Sequence, residues 1–531
     1  MDWPLLDEWQ NQGVLSPLDL YYARRTAHHV GEVSEEQAAI LAATMALARQ
    51  GHLCLSRKAI RDLFPASVQS ILEKAFLTEE SEWRKLMHYL HRKEECFYLP
   101  KNWALEQSLL FHLQRLSSQR VAGAFPSFEL QKLLNQEQYN AVQTVWQHRV
   151  SLVTGGPGTG KTFTAAAIAQ AFTNLEKIIL AAPTARAADH LKKKMISCGV
   201  DPHILQNCGT LHKLLRYKVE SATAEVPWLD ADLVIVDECS MIDAPLFIAL
   251  LAALPKTCTL VLMGDPNQLH PVGIGSLFSD LVVAPLPLPI GRAHLHQCLR
   301  VEDRPLLELA KALLKNEECE WPLLNWVMDP VQPHLFYKKL WGYIEPFWPR
   351  PSANFPSRET LMQLLHKFRI LSVLRQGPFG TESINEKLVH NLFELAEFGD
   401  HYIVPIQVLR NDATTGLCNG ELGILVQKKV TAASLHVAKS GYAFFASHEE
   451  PFAVGILPQY EYAFCSSVHK SQGSEYEEVL LIVPPGSETF GKEMLYTGVT
   501  RAKKTLLVVS TAEILACMQK NHLRKQSGIT L

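Results

Sequence analysis

The chain has 531 residues, 47% of them hydrophobic and 20% charged, with a formal net charge of -3. That length exceeds what one core supports and predicts two to four domains. The slight acidity excludes a chromatin-like protein held to nucleic acid by overall charge, and leaves only a local basic groove for such contact.

The eleven cysteines include no C-x-x-C pair and no zinc-like spacing, which points to a reducing cytoplasm. Residues 1–10 are acidic and lack a basic segment before an apolar core, so no secretory leader is expected.

Residues 1–125 read as helical. Ser34-Glu35-Glu36-Gln37 is a capping box, a helix continues through 38–50, and Gly51 ends it. Nothing there carries obvious chemistry, which fits a docking or scaffold domain. From about 130 to 290, apolar runs at 150–153, 177–181, 233–236 and 259–263 alternate with helical stretches. Uninterrupted apolar runs imply strands buried on both faces, hence a parallel α/β sheet. The uncharged run 244–254 is too short to span a bilayer and is expected in the core. A second set of strands is predicted at 370–374, 479–483 and 505–509, after a proline-rich loop at 346–356. Within it, runs at 403–409 and 422–426 flank Asn419-Gly420, a tight-turn signal, and Ser440-Gly441 marks a further hairpin. The expected architecture is two parallel-sheet α/β domains, the second with a small β insert.

The chemistry concentrates at strand ends. Gly155-Gly156-Pro157-Gly158-Thr159-Gly160-Lys161-Thr162 follows the first apolar run and opens into a helix. In that context the pattern is a phosphate-binding loop. Glycines let backbone N–H groups converge on an anion, and the helix turns its positive end to the same charge. Lys161 can reach β- and γ-phosphates, and the Thr162 hydroxyl can bind Mg²⁺. Asp237 and Glu238 end another strand, where carboxylates face the ligand crevice of such sheets. Asp237 is placed to hold Mg²⁺ and Glu238 to orient or deprotonate water. Alone, such a pair is usually a solvated strand end; beside the loop it gains a function. Gly264-Asp265-Pro266-Asn267-Gln268 follows a third strand, where Gln268 can sense the γ-phosphate. Gln138, ahead of the first strand, carries an amide suited to adenine's edge.

These motifs, in this order, resemble the superfamily 1 helicases. The set includes Ala182-Pro183-Thr184-Ala185-Arg186-Ala187-Ala188, Thr210-Leu211-His212, Val468-His469-Lys470-Ser471-Gln472-Gly473-Ser474-Glu475 and Tyr496-Thr497-Gly498-Val499-Thr500-Arg501-Ala502. The stretches 373–380, 410–412 and 416–420 narrow the resemblance to the RecD family of the 1B branch. It covers 130–510 well and 1–125 more loosely.

The resemblance implies a 5′→3′ ATP-dependent DNA helicase using ATP and Mg²⁺. Its implied place is as motor subunit of exodeoxyribonuclease V, with RecB and RecC as partners and strand cleavage left to RecB. A self-sufficient helicase of the same type, needing neither partner, stays open. Arg300 and Arg501 are implied as arginine fingers and Glu475 as the ribose contact. Thr184, Arg186, Thr210, His212, Ser467, His469 and Lys470 are implied to touch the strand. Residues 217–226 are implied as the pin that parts the duplex.

Two departures stand out: Ala185 replaces a usual glycine, and Cys298 an aromatic. The expected domains are a helical 1–125, a RecA-like motor at 126–290, a second at 291–399 and 458–531, and an SH3-like insert at 400–457.

Overall fold

A computed structural model describes residues 3–117, 125–172, 177–203, 205, 207–217, 226–299, 304–354, 356–430, 441–522 and 524–530. The N-terminal region is built around the helix Glu35–Arg49. Ser34 caps it: its Oγ accepts the Gln37 amide at 3.2 Å, and Gln37 Oε1 accepts the Ser34 amide at 3.2 Å. Alanines and leucines from Ala38 to Leu47 bury this helix on almost every side. A three-stranded antiparallel sheet accompanies the helices: β1 (Leu55–Ser56), β2 (His91–Lys93) and β3 (Cys96–Tyr98). The helix Pro100–Ser117 leaves this region and packs on the buried helix Ala244–Ala253. Arg115 fixes it there by donating to Leu251 O at 2.7 Å and Leu254 O at 2.8 Å.

The first parallel sheet contains β4 (Val150–Gly155), β5 (Ile178–Ala182), β6 (Asn207–Thr210), β7 (Leu233–Val236), β8 (Thr259–Gly264) and β9 (Gly291–Leu295). Its order is β6-β5-β7-β8-β4-β9, with every neighbour parallel. The central strands β4 and β8 are buried along their whole length, as their uninterrupted apolar runs predict. Strand β9 lies beyond the boundary expected at 290. It is an edge strand with alternating burial, so its residues, Gly291-Arg292-Ala293-His294-Leu295, lack the apolar run that marks a central strand.

The second parallel sheet begins with β10 (Phe368–Ser372) and is interrupted by five antiparallel strands. These are β11 (His401–Val408), β12 (Leu422–Lys428), β13 (Gly441–Phe445), β14 (Phe452–Ala453) and β15 (Tyr460–Tyr462), in the order β14-β13-β12-β11-β15. The insert therefore runs past the expected limit of 457, because β15 pairs with β11 through Ile406↔Tyr462. Strands β11 and β12 do pair, but Asn419-Gly420 is not a two-residue hairpin. The chain takes the longer loop 409–421, where Thr415 Oγ1 donates to Asp412 Oδ2 at 2.8 Å and Gly420 adopts φ +84. Of the hairpin signal at Ser440-Gly441, Ser440 lies outside the described residues; Gly441 starts β13. The sheet resumes with β16 (Cys465–Ser467), β17 (Tyr476–Ile482) and β18 (Ala502–Val509), giving the parallel order β16-β10-β17-β18.

The C-terminal segment does not stay with this second sheet. Beyond the helix Ala512–Lys520 it crosses to the rest of the molecule. Arg524 donates to Asp280 Oδ1 at 3.3 Å and Lys525 to Pro271 O at 2.5 Å. The Gln526 amide donates to His52 Nδ1 at 3.0 Å, and the Gly528 amide to Glu106 Oε2 at 2.9 Å.

Candidate functional site

Parallel strands all end on one edge, so motifs scattered along the sequence meet there. Thr154 on β4 is in register with Gly264 on β8, and Val236 on β7 with Leu262 on β8. The phosphate-loop pattern, Asp237-Glu238 and Asp265–Gln268 therefore share one crevice. Strand β4 stops at Gly155, and the helix Lys161–Ala171 starts where Gly160 takes φ +81. A Cβ on Gly155 would stand 2.7 Å from Thr159 Oγ1, and one on Gly160 would stand 2.6 Å from Gln138 Nε2. The loop is thus crowded by its own Thr159 and by Gln138 of the preceding helix. Thr159 Oγ1 donates to Gly156 O at 2.9 Å, and the Lys161 ammonium donates to Gly155 O at 2.7 Å and Gly156 O at 3.0 Å. Pro157 and Gly158 form a turn, and the Leu299 amide donates to Gly158 O at 2.9 Å. Thr162 lies in the first turn of the helix.

Gln138 is in the site as a brace. Its Oε1 accepts the Asn135 amide at 3.2 Å, and its Nε2 donates to Thr159 O at 3.4 Å. Both ends of the amide that the sequence suggests for adenine are engaged with the chain itself.

Asp237 Oδ1 accepts the Glu238 amide at 2.8 Å, and Glu238 holds a left-handed backbone at φ +54. Burial raises the Asp237 pKa, against the opposing charge of Lys161. Burial and then the neighbouring Asp237 push the Glu238 carboxyl up to about 7, while Lys161 and Arg501 pull it down. A carboxyl poised near neutrality suits a proton acceptor. Asp237 and Thr162 supply an oxygen set suited to Mg²⁺, which commonly takes one or two protein ligands and completes its shell with phosphate and water. Among the described residues no cluster of three His, Cys, Asp or Glu forms an all-protein metal cage.

The second sheet closes over this edge. Tyr496 donates to Asp265 Oδ2 at 2.8 Å, the Leu269 amide donates to Thr497 Oγ1 at 2.9 Å, and Gln472 Nε2 donates to Leu269 O at 3.1 Å. Gln268 is buried, with Nε2 reaching Asp265 Oδ2 at 3.5 Å and Oε1 without a hydrogen-bond partner. Arg501 is buried and bonded to Thr497 O at 3.0 Å and Ser474 O at 3.1 Å. Glu475 pairs with Lys503 at 3.6 Å. Arg300 lies outside the described residues, as do 218–225 of the suggested pin.

The residues suggested for strand contact divide between the two sheets. Thr184 and Thr210 follow or end β5 and β6, and their hydroxyls cap helices by accepting the Ala187 amide at 3.2 Å and the Lys213 amide at 3.3 Å. The Arg186 guanidinium lies 5.9 Å from the ring centroid of Tyr476, in the other domain. His212 makes an edge contact with Tyr217 at 6.0 Å. Ser467 ends β16, and its Oγ accepts the Lys470 amide at 3.3 Å. The Lys470 ammonium pairs with Glu461 at 2.5 Å. His469 borders a cavity of about 360 Å³ shared with His52, His270 and Lys525. Ser467 is in register with Ser372 at the end of β10, whereas Tyr476 and Ala502 begin β17 and β18. Glu475 and Arg501 thus stand at the opposite edge of the second sheet from Ser467.

Two families match parts of the chain: the AAA domain over residues 138–274 and the UvrD-like helicase C-terminal domain over 462–509. The RecBCD enzyme subunit RecD of Mycolicibacterium smegmatis is 29% identical over 475 residues, covering 81% of each chain. That of Mycobacterium tuberculosis is 26% identical and covers 98% of this chain and 95% of its own. Over most of its length the chain is similar to these RecD helicase subunits. A further relative is the ATP-dependent RecD2 DNA helicase of Deinococcus radiodurans, 27% identical over 73% of this chain and 51% of its own length.

For a RecD-like chain, the structure adds residues to which the sequence reading gave no role. Tyr496 stands within the quoted stretch 496–502, yet nothing in the sequence shows that its hydroxyl meets Asp265 across the domains. Arg524 and Lys525 belong to no motif, and their contacts with Asp280 and Pro271 join residues 244 and 254 positions apart. No local pattern signals them.

Proposed function

We propose that this chain is an ATP-driven 5′→3′ DNA helicase and translocase, the motor subunit of an exodeoxyribonuclease V complex with RecB and RecC that acts in double-strand-break repair and recombination. One observation supports the reading: Tyr496 and Thr497 of the second sheet bond to Asp265 and Leu269 beside the phosphate-loop crevice, so a nucleotide bound there would be met from both domains.

In this reading the loop amides and Lys161 hold the β- and γ-phosphates. Thr162 and Asp237 are the residues that would hold Mg²⁺, which bridges and neutralises those phosphates when bound. Glu238 takes the proton of the attacking water, and Gln268 senses the γ-phosphate. Arg501 stabilises the charge that develops in transfer, a contribution worth about 10³–10⁵ in rate. Arg300 shares that role by resemblance. Glu475 faces the ribose, and Gln138 braces the loop beside the base.

Loss of the γ-phosphate removes what both domains hold, so the cleft opens and closes once per cycle. Thr184, Arg186, Thr210 and His212 on one domain, and Ser467, His469 and Lys470 on the other, hold the strand alternately. Closure then becomes movement. Opening duplex demands on the order of 1.4 kcal/mol per base-pair step, so little is asked of each cycle. The five-stranded insert serves as the SH3-like 2B module, the N-terminal region as the docking domain, and the cytoplasm as the working compartment. Strand cleavage is assigned to RecB, none to this chain.

The test is ATP-dependent unwinding of matched 5′-tailed and 3′-tailed duplexes by the purified chain, with Lys161→Gln as control. Unwinding of the 5′-tailed substrate alone supports an autonomous motor of this polarity. Strand-stimulated ATP turnover without unwinding supports a subunit that needs RecB and RecC. Turnover unchanged in Lys161→Gln rejects the assigned ATP site.

A further inference from the structure

We propose that Tyr496 is the positioning residue that couples the γ-phosphate-sensing loop of the first domain to the helix Lys492–Val499 of the second. The proposal rests on the ATP-motor reading and deepens it.

The argument starts from one oxygen atom. Asp265 Oδ2, at the end of β8, faces two donors: the Tyr496 hydroxyl at 2.8 Å and Gln268 Nε2 at 3.5 Å. All three side chains are buried, so neither donor has water as an alternative. The shorter bond crosses between domains; the longer one stays within the sensing loop. Gln268 Oε1 is buried without a hydrogen-bond partner, so the present orientation of this amide leaves half of it unsatisfied. An amide that turns toward a γ-phosphate gives up its weak contact with Asp265. The carboxylate oxygen then belongs to Tyr496 alone, and the inter-domain bond tightens.

The surroundings make that change matter. A Cβ on Gly156 would stand 3.3 Å from the Tyr496 hydroxyl oxygen, so the phenol also abuts the phosphate loop. Leu269, next to Gln268, is held by Thr497 through its amide and by Gln472 through its carbonyl. The helix that carries Tyr496 leads directly into Arg501. A tighter Tyr496–Asp265 bond therefore draws the arginine toward the crevice. Burial and the adjacent Asp265 raise the phenol's pKa well above its ordinary value, which keeps it a donor at every working pH.

The experiment compares Tyr496→Phe, Asp265→Asn and the double variant in the full chain. It measures ATP turnover at saturating single strand, KM for ATP and thermal unfolding. Tyr496→Phe removes one oxygen and keeps the ring. Asn at 265 retains the Oδ1 that accepts the Asn267 amide at 3.0 Å. The expected result is a kcat lowered about tenfold in each single variant, on the scale of one hydrogen bond to a charged acceptor. KM for ATP stays within about twofold. The double variant loses no more than the worse single one, because each single change already removes the bond from the phenol to a charged carboxylate. Wild-type kcat in Tyr496→Phe, or losses that multiply in the double variant, overturns the coupling while Lys161-dependent turnover leaves the ATP reading standing. Absence of Lys161-dependent turnover in the wild-type chain overturns both.

Discussion

Arg501 acts on Glu238 from the opposite domain: its positive charge opposes the upward pull that burial and Asp237 exert on that carboxyl. In the proposed mechanism, closing the cleft would do two things at once: bring a cation toward the transferring phosphate and favour the ionised form of the carboxyl proposed to take the proton.

Glu238→Gln should lower ATP turnover by about 10²–10⁴, the range for a lost general base. Because the wild-type carboxyl titrates near 7, turnover should rise with pH through that region. The effect on stability has the opposite sign. Between 4.5 and about 7 the folded chain keeps a proton that the unfolded chain has released, so wild-type stability falls as pH rises. Thermal unfolding at pH 5 and pH 8 should show Glu238→Gln gaining on the wild type at the higher pH. A constant difference would reject the raised carboxyl.

Arg501→Lys keeps the charge but loses the fork. Turnover should fall by about 10³ with little change in KM. Arg501→Ala should also destabilise the chain by about 1–3 kcal/mol, since the carbonyls of Thr497 and Ser474 lose their donor. Steady-state kinetics and melting of both variants separate the two effects.

Arg524→Ala leaves the buried Asp280 without its cation. The cost should be roughly 3 kcal/mol at pH 8. Asp280 is pushed up to about 6, mainly by burial, so it can protonate at pH 5 and the loss should shrink there. Denaturant unfolding at the two pH values checks this, and an equal loss at both would show that the contribution of Arg524 does not act through the charge of Asp280.

In the proposed strand path, Glu461, which pairs with Lys470 at 2.5 Å, would compete with a phosphate for its ammonium. Lys470→Ala should weaken binding of single strand and reduce the salt slope by about 0.7, the value for one neutralised phosphate. Glu461→Gln should strengthen binding by freeing the ammonium. Fluorescence titrations over a salt series measure both, and an unchanged slope in Lys470→Ala would remove Lys470 from the strand path.

Most of the crevice was legible because a parallel sheet carries its chemistry at strand ends. The apolar runs at 150–153, 233–236 and 259–263 mark β4, β7 and β8, and the residues that follow each are the ones that meet. The edge strands β9 and β15 were not legible, because half-exposed strands lack that run. Asn419-Gly420 forms the tight turn the signal implies, closed by the Glu421 amide donating to Cys418 O at 3.1 Å, but at the end of the loop 409–421 rather than as the whole connection between β11 and β12.

The sequence by itself determined which local shapes are possible and which chemical groups stand at their ends. Glycine spacing, strand periodicity and capping residues are short-range properties, set within a few covalent bonds. Only the tertiary structure decided that Tyr496 meets Asp265, that the charge of Arg501 acts on the Glu238 carboxyl, and that the C-terminal Arg524 and Lys525 bind residues 271–280. Those pairings depend on how separate sheets pack, and packing sums many weak contacts that no local pattern records.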